Sequence, residues 1–561
     1  MILLRPMSPS FAKVCVLTLK WLSASDIRRC RLLCRDLRHI IDTELHKELQ
    51  LQYILLLDRE GMENGSSKCA LTVEDRLSLL KTQRNAWETL SPEAVVPLPS
   101  LREGVNMIPQ PILNGPKFVY LDTRPVTSTP NKEPITCCDP YQGVLFTLDN
   151  SLYQFFNFGR LTVHVSTIKS RGFEPHPHAS KHALTTKLRP GQTLPSPRLS
   201  VNEDYLSMYI ETGERVIVIW NWKTGECVVH ITINDWETKQ TDRLGDFVFL
   251  PDSTFMLVGY KALYLYSLAR TTDDWLYADA VLSLPPHKCN PDNVGDFIRC
   301  LTGPFGGALP RENTPFRLAP RERIHLLELY VKGSDTAAYV IINTAGLMRY
   351  IEDILQSKMN SGTHVSWASW GPSQTAIMTL PWQTRAIVNR RSIHGTRLVL
   401  SWMVCKDPPQ YRHMLYDFTQ RRTLRRTGSG SVACRGSLHM GYAFYRNRKG
   451  KDAMTLGKGD IFPGKIRNML SFSVAALRPT RFRKYRQLML GRDYILALRP
   501  TPQEVDRDAS RSEAEPNLAR RELEKDMAAM GHAPGTGCDI FTGDSQLDSD
   551  RDPVESCFFL F

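Results

Sequence analysis

The stretch Arg215-Val216-Ile217-Val218-Ile219-Trp220-Asn221-Trp222-Lys223-Thr224-Gly225-Glu226 decides how most of this chain is read. Arg215 to Trp220 is rich in β-branched residues, as a buried strand requires. Asn221 to Glu226 carries turn chemistry, with Gly225 at a place that wants positive φ. Cys227 to Ile233 reads as the return strand. Downstream, Asp246 to Leu250, a Pro251-Asp252-Ser253 turn, Thr254 to Gly259 and Leu263 to Tyr266 repeat the scheme of short strands at intervals of about ten residues.

The pattern extends both ways. Before it, Phe118 to Tyr120, Gly143 to Leu148 and Leu161 to Val165 are short β runs, and residues 171–198, rich in Pro, His and Lys, read as a long exposed loop. After it, Leu326 to Val331 pairs with Ala338 to Ile342, and Val365 to Trp370 with Thr375 to Leu380 across Gly371-Pro372. Leu398 to Val404 pairs with His413 to Phe418, and Tyr494 to Leu498 is the last strand. The Ile-Trp-Asn-Trp strand end, the Lys-Thr-Gly turn and the Phe-Leu-Pro-Asp hairpin resemble a WD-repeat blade. That resemblance implies a β-propeller-like domain over 117–500, where six or seven blades of about 45–60 residues fit. No fixed period emerges, and a β-sandwich or two β domains remain alternatives.

The first 90 residues follow a different period. Ser23-Ala24-Ser25-Asp26 is a capping box. Ile27, Cys30, Cys34, Leu37 and Ile41 then recur every three or four residues as one apolar stripe. The helical pattern continues through Leu57, breaks at Gly61, and resumes from Glu74-Asp75 through Leu77, Leu80 and Trp87. On periodicity alone this is a small helical domain with the stripe as its core. The run Trp21 to Asp42, together with Leu51-Gln52-Tyr53, Gly61-Met62, Glu74-Asp75-Arg76-Leu77 and Ala86-Trp87, resembles the F-box proteins of fungi. The Leu-Pro-x-Glu that usually opens an F-box is not matched, since those places hold Ser10, Phe11 and Lys13. The resemblance implies docking on the Skp adaptor, which sits on the cullin scaffold of an SCF ubiquitin ligase, by helix-in-groove contact. It assigns adaptor binding to Leu22, Ile27, Cys30, Leu33, Cys34 and Leu37. The alternative role of these residues is packing within the domain.

The expected architecture is therefore α plus all-β multidomain. Residues 1–90 form an F-box-like helical domain, 91–116, with six Pro, a linker, 117–500 the β domain, and 501–561 a disordered acidic tail. Net charge is +13, but its distribution is local: residues 411–500 hold 20 Lys+Arg against 4 Asp+Glu, and 501–561 hold 6 against 14. Within the basic block, Arg421, Arg422, Arg425, Arg426, Arg481, Arg483, Lys484 and Arg486 are candidate polyanion contacts, interleaved with Tyr442, Phe444, Tyr445, Phe482 and Tyr485. Long basic side chains covering aromatic ones is the plainer use of the same residues.

The 13 Cys show no C-x-x-C or repeating interval, which favours reduced thiols in cytoplasm or nucleus. No stretch approaches about 18 apolar residues, so no membrane partner is expected. P-loop, G-x-S-x-G and H-E-x-x-H motifs are absent from the sequence. His176, His178 and His182 read as solvated loop histidines rather than a metal site, and adjacent Cys137 and Cys138 as half-buried strand-edge thiols. No catalytic set, metal or cofactor is expected. The leading expectation is a non-enzymatic substrate receptor that binds the Skp adaptor and an unidentified protein substrate. A propeller scaffold whose degenerate F-box binds no adaptor, or a nucleic-acid-associated protein using the basic block, are the alternatives.

Overall fold

The computed structural model describes residues 9–44, 48–65, 69–89, 94–98, 105–110, 117–122, 135–139, 142–149, 160–168, 174–187, 197–211, 214–234, 243–270, 278–303 except 294, 315–356 except 335, 358–381, 387–405, 409–419, 442–445, 454–456, 461–463, 466–468, 470, 472–476, 485–490, 494–498 and 556–560. Five helices come first: α1 (Pro9–Leu19), α2 (Ala24–Leu33), α3 (Arg35–Glu44), α4 (Leu49–Arg59) and α5 (Val73–Thr89). The Ser23 hydroxyl accepts from Asp26 N at 3.2 Å and caps α2 as its sequence dictates. The apolar stripe belongs to two helices rather than one. Cys34 is extended (φ −152°, ψ 163°) and its Sγ accepts from Leu37 N at 3.4 Å, so the thiol caps the start of α3.

Among the described residues six sheets of four or five strands follow, antiparallel except for one strand of sheet 3, and each except the last begins with the strand that comes first in sequence. Sheet 1 is Thr136–Asp139, Val144–Leu148, Arg160–Thr167 and Ala183–Lys187. Sheet 2 is Arg198–Asn202, Tyr205–Glu211, Glu214–Asn221 and Glu226–Asn234. Sheet 3 is Leu244–Leu250, Thr254–Gly259, Ala262–Ser267 and Ala280–Ser283, extended by a parallel strand, Thr363–Val365. Sheet 4 is Phe297–Thr302, Ile324–Tyr330, Thr336–Asn343 and Thr375–Pro381. Sheet 5 runs Ile393–His394, Arg397–Cys405, Gln410–Asp417, Phe472–Ala476 and Tyr442–Tyr445. Sheet 6 runs Gln487–Leu490, Tyr494–Leu498, Ser556–Leu560 and Ala94–Leu98.

The turns explain the meander. Gly225 has φ +71° between two strands of sheet 2, and Asp252 and Ser253, in the three-residue connection from Leu250 to Thr254, both have positive φ, near +55°. Each sheet packs on the next through an apolar layer. Phe146, Val163, Met208 and Trp220 fill the space between sheets 1 and 2; Ile217, Phe247, Phe255 and Tyr264 between 2 and 3; Leu265, Leu282, Leu327 and Val340 between 3 and 4. Ile341, Leu326, Leu398 and Leu400 join sheets 4 and 5, and Val399, Leu415, Leu488 and Ile495 join 5 and 6. In sheets 1 to 4 the first strand of each runs beside the first strand of the next.

Several expectations change. The sequence pattern makes 365–370 a hairpin strand, but Trp367–Gln374 is a helix, α7, and Thr375–Pro381 pairs with Thr336–Asn343 instead. Trp367 and Trp370, three apart, share one helical face, and Trp370 is fully buried with its Nε1 donating to Ser283 O at 2.8 Å. A second helix inside the β region, α6 (Thr344–Leu355), is capped by Asn343 Oδ1, which accepts from Ala345 N at 2.8 Å. Ala183–Lys187 inside the expected loop is a strand of sheet 1. Two strands, Ala94–Leu98 and Val105–Gln110, lie in the expected linker. At the end of the expected disordered tail, Ser556–Leu560 pairs on both sides within sheet 6. Residues 501–555 lie outside the described residues.

Sheet 4 holds a titration-sensitive point. His325 is fully buried, and its Nε2 lies 3.0 Å from Thr344 Oγ1. Burial, and secondarily the nearby Arg323, lowers its pKa to about 3. The folded value lies below the unfolded value of about 6.5, so the unfolded chain takes up the proton first and stability is lost as pH falls below about 6.5. At about 1.4 kcal/mol per unit, the loss between pH 6.5 and pH 4.5 is about 2–3 kcal/mol. Thermal melts across that window are expected to fall more steeply for the wild type than for His325→Gln, and parallel curves would contradict the assignment.

Candidate functional site

The helical module carries the candidate site, and its internal packing determines which residues a partner can reach. Leu19, Ile27, Ile41 and Leu51 form its buried centre, with Leu22, Cys30, Ile54 and Leu55 packed against them. Ion pairs tie the helices together: Arg28 to Asp58, Lys20 to Glu48 at 2.7 Å, and Arg31 to Asp42 at 2.8 Å.

α4, α5 and the strand between them are seated on the β region. Met62–Asn64 pairs with Phe316–Leu318, and Phe316 is buried among Tyr53, Leu56, Leu57, Leu77 and Leu80. Tyr53 Oη donates to Pro315 O at 3.3 Å. Ala86 and Trp87 of α5 join the layer between sheets 5 and 6, with the Arg397 guanidinium 4.2 Å from the Trp87 ring centroid. The helices therefore stand on the sheets by direct contact rather than hanging from a free linker.

Against this frame the six adaptor-assigned residues divide. Ile27 is 1% exposed and closed inside the module. Leu22, Cys30 and Leu37 are half-buried, while Cys34 and Leu33 are exposed. The structure thus separates the predicted set into a packing group and an accessible group. It also adds residues that the reading passed over: Trp21 is 89% exposed, Leu32 75%, and Val14 and Leu17 are both exposed. Val14, Leu17 and Trp21 are spaced three and four apart, away from buried Val16 and Leu19, and that second stripe was present in the sequence. Large apolar side chains standing in water on one small module make these residues the candidate contact site.

Of the candidate polyanion residues, Arg486 is half-buried; Arg421, Arg422, Arg425, Arg426, Arg481, Arg483 and Lys484 lie outside the described residues. Tyr485, one of the interleaved aromatics, is 2% exposed and belongs to the layer between sheets 5 and 6, so its ring is not open to stack a base.

His176 is a correction. It is buried rather than solvated, with Nε2 3.2 Å from Gln142 O and its ring edge-on to Trp222 at 5.1 Å, and burial lowers its pKa. Among the described residues no three or more His, Cys, Asp or Glu gather as metal ligands. Cys137 and Cys138 sit half-buried on the edge strand of sheet 1, and burial pushes the Cys137 thiol up to about 11, which keeps it from acting as a thiolate near neutral pH. Among the described residues no helix is long and apolar enough to cross a membrane.

No family model matches the chain, and no curated protein matches it. Among solved structures, the WD40 domain of SCAP from fission yeast aligns over 64% of this chain and 77% of its own, at 11% identity and TM-score 0.28. Hsv2 of Kluyveromyces marxianus aligns over 36% and 50%, at 12% identity and TM-score 0.20. Prolyl oligopeptidase B from Galerina marginata aligns over 56% and 37%, at 10% identity and TM-score 0.23. At these scores the chain is similar to each only loosely, and none bears on what it does.

Proposed function

We propose that the chain is an F-box-type substrate receptor. Its helical module docks on the Skp adaptor of an SCF-type cullin–RING ligase, and its β region, acting as a propeller, presents a protein substrate. The chain does no bond chemistry itself; that belongs to partner subunits, in cytoplasm or nucleus. One observation carries the reading: Trp21, Leu32 and Leu33, at the ends of α1 and α2, stand exposed, while α4 and α5 make the module's contacts with the sheets. An apolar groove on a partner is what such a face fits. The six successive sheets with apolar layers between neighbours support the propeller as the presenting platform.

Capture of the purified Skp adaptor by the full chain tests this. Wild type is expected to bind. Leu32→Asp with Leu33→Asp is expected to lose at least a hundredfold in affinity, because burying each leucine stabilises a contact by about 1.5–3 kcal/mol. Ile27→Asp would instead unfold the module, so it does not report on the contact. If wild type captures no adaptor, the chain is an interaction scaffold with a degenerate F-box, the reading that the unmatched Leu-Pro-x-Glu places favour.

A further inference from the structure

A cleft on the β region lies apart from the helical face. It encloses about 560 Å³ where sheets 2, 3 and 4 meet, and Arg198, Arg243, Arg299, Tyr260, Phe297 and Asp296 line it. The fold brings the three arginines together. Arg198 opens the first strand of sheet 2, Arg243 precedes that of sheet 3, and Arg299 lies on that of sheet 4. The last two strands approach closely at Gly245, where an added Cβ would stand 2.7 Å from Ile298 O.

Each guanidinium is anchored, and those of Arg243 and Arg299 are only partly used. Arg299 Nε pairs with Glu328, which is fully buried, and Arg198 Nη1 lies 2.8 Å from Asp246, also buried. Arg243 Nη1 donates to Pro291 O at 2.8 Å. Among the described residues the two terminal nitrogens of Arg299, and Nε and Nη2 of Arg243, have no partner. Anchoring fixes the arms in advance, which lowers the ordering cost of binding.

Two carboxylates also line the cleft, Asp292, which is exposed, and Asp296, which is engaged elsewhere. Its Oδ1 accepts from Lys332 N at 2.7 Å, and its Oδ2 from Asn290 N at 3.0 Å and Asn293 Nδ2 at 3.2 Å. Buried Tyr260 and the ring of Phe297, 6.0 Å from the Arg299 guanidinium, give the cleft apolar walls. Asp246 and Glu328 behind the arginines offset their charge, so recognition here works through forked N–H donors at short range and not through a long-range field.

We propose that this cleft binds an oxyanion-bearing side chain of a peptide, a carboxylate or a phosphoryl group, with Arg243 and Arg299 as the forks. The proposal rests on the receptor reading above, whose substrate would carry that group. The volume admits a few side chains of an extended segment and no folded domain.

Fluorescein-labelled oligoglutamate, oligoserine phosphorylated on its serines, and oligolysine, titrated into the full chain and followed by anisotropy, provide the test. At least one anionic peptide is expected to bind and oligolysine is not. Arg243→Gln, an exposed position that leaves both buried ion pairs intact, is expected to weaken binding about tenfold. Arg299→Lys keeps a cation beside Glu328 but removes the fork, and is expected to weaken it similarly. Tighter binding of the phosphorylated peptide assigns the phosphoryl source, and tighter binding of oligoglutamate the carboxylate. No binding of either anionic peptide, or equal affinity for wild type and Arg243→Gln, which would move the contact to the basic block, overturns the proposal. Adaptor capture by the same proteins separates the two ideas: captured adaptor without peptide binding removes the cleft alone, and peptide binding without capture removes the adaptor reading alone.

Discussion

A chain ending before Ser556 is expected to lose sheet 6 and to aggregate. Ser556–Leu560 lies between Ala94–Leu98 and Tyr494–Leu498, with Ala94 opposite Leu560 on one side and Tyr494 opposite Leu560 on the other. Its ladders hold five and four residue pairs. At roughly 1 kcal/mol net per backbone hydrogen bond, losing both costs several kcal/mol. Ala94–Leu98 would then keep no described strand neighbour, and Tyr494–Leu498 would present an unpaired edge. The matching control deletes residues 504–550 and retains Ser556–Leu560. That shorter connection leaves sheet 6 intact and lowers the loop-closure cost by about 1.5 kcal/mol. Thermal melts and sedimentation of the two deletions are expected to differ sharply. If both melt like wild type, Ser556–Leu560 contributes no strand.

That strand also shows why part of the fold was hidden in the sequence. Averaged over 501–561, the 14 acidic residues and scarce β-branched ones describe a segment that cannot bury much. The run Cys557-Phe558-Phe559-Leu560 is too short to move that average, yet four residues suffice for a strand when neighbours already exist to pair with. Tertiary context likewise decided Trp367–Gln374. Gly371-Pro372 reads as a hairpin turn in isolation, but Trp370 finds a buried place between sheets 3 and 4 only from a helix. α6 is a different kind of miss: Asn343 before Leu347, Met348, Ile351 and Ile354 is a cap followed by a helical stripe, a signal that reading the region for period two overlooks. Glu214–Asn221 and Glu226–Asn234 of sheet 2, and Leu244–Leu250, Thr254–Gly259 and Ala262–Ser267 of sheet 3, were legible because turn chemistry and β-rich runs agree there; Arg198–Asn202, Tyr205–Glu211 and Ala280–Ser283 lack that agreement and went unread. At the candidate site, periodicity located the apolar residues but not their outward or inward sense. Ile27 and Leu33 occupy the same helix and similar chemistry, and only the packing of α2 on α3 and α4 distinguishes the closed one from the open one.

Trp222→Ala is expected to destabilise the protein by about 3–5 kcal/mol, the range for deleting a buried large aromatic. Trp222 follows the strand that decides the fold and is fully buried between sheets 1 and 2. Its Nε1 donates to Glu203 O at 2.9 Å, its ring meets Phe146 edge-on at 5.9 Å, and Lys223 Nζ stands 5.6 Å from its centroid. The indole thus links a turn of sheet 2 to the core of sheet 1, so its loss opens a cavity and also leaves a carbonyl without its donor. Trp222→Phe keeps most of the volume and loses the donor, and is expected to cost about 1–3 kcal/mol. A local reporter separates this from general weakening. His176 packs on the Trp222 ring, and burial holds its pKa below the ordinary value. In folded Trp222→Ala the imidazole gains water, so its titration, followed by NMR, is expected to move up toward about 6.5. In Trp222→Phe it should stay low. A Trp222→Ala protein that melts like wild type, with His176 still titrating low, would mean that sheets 1 and 2 are held together by Phe146, Val163 and Met208 without the indole.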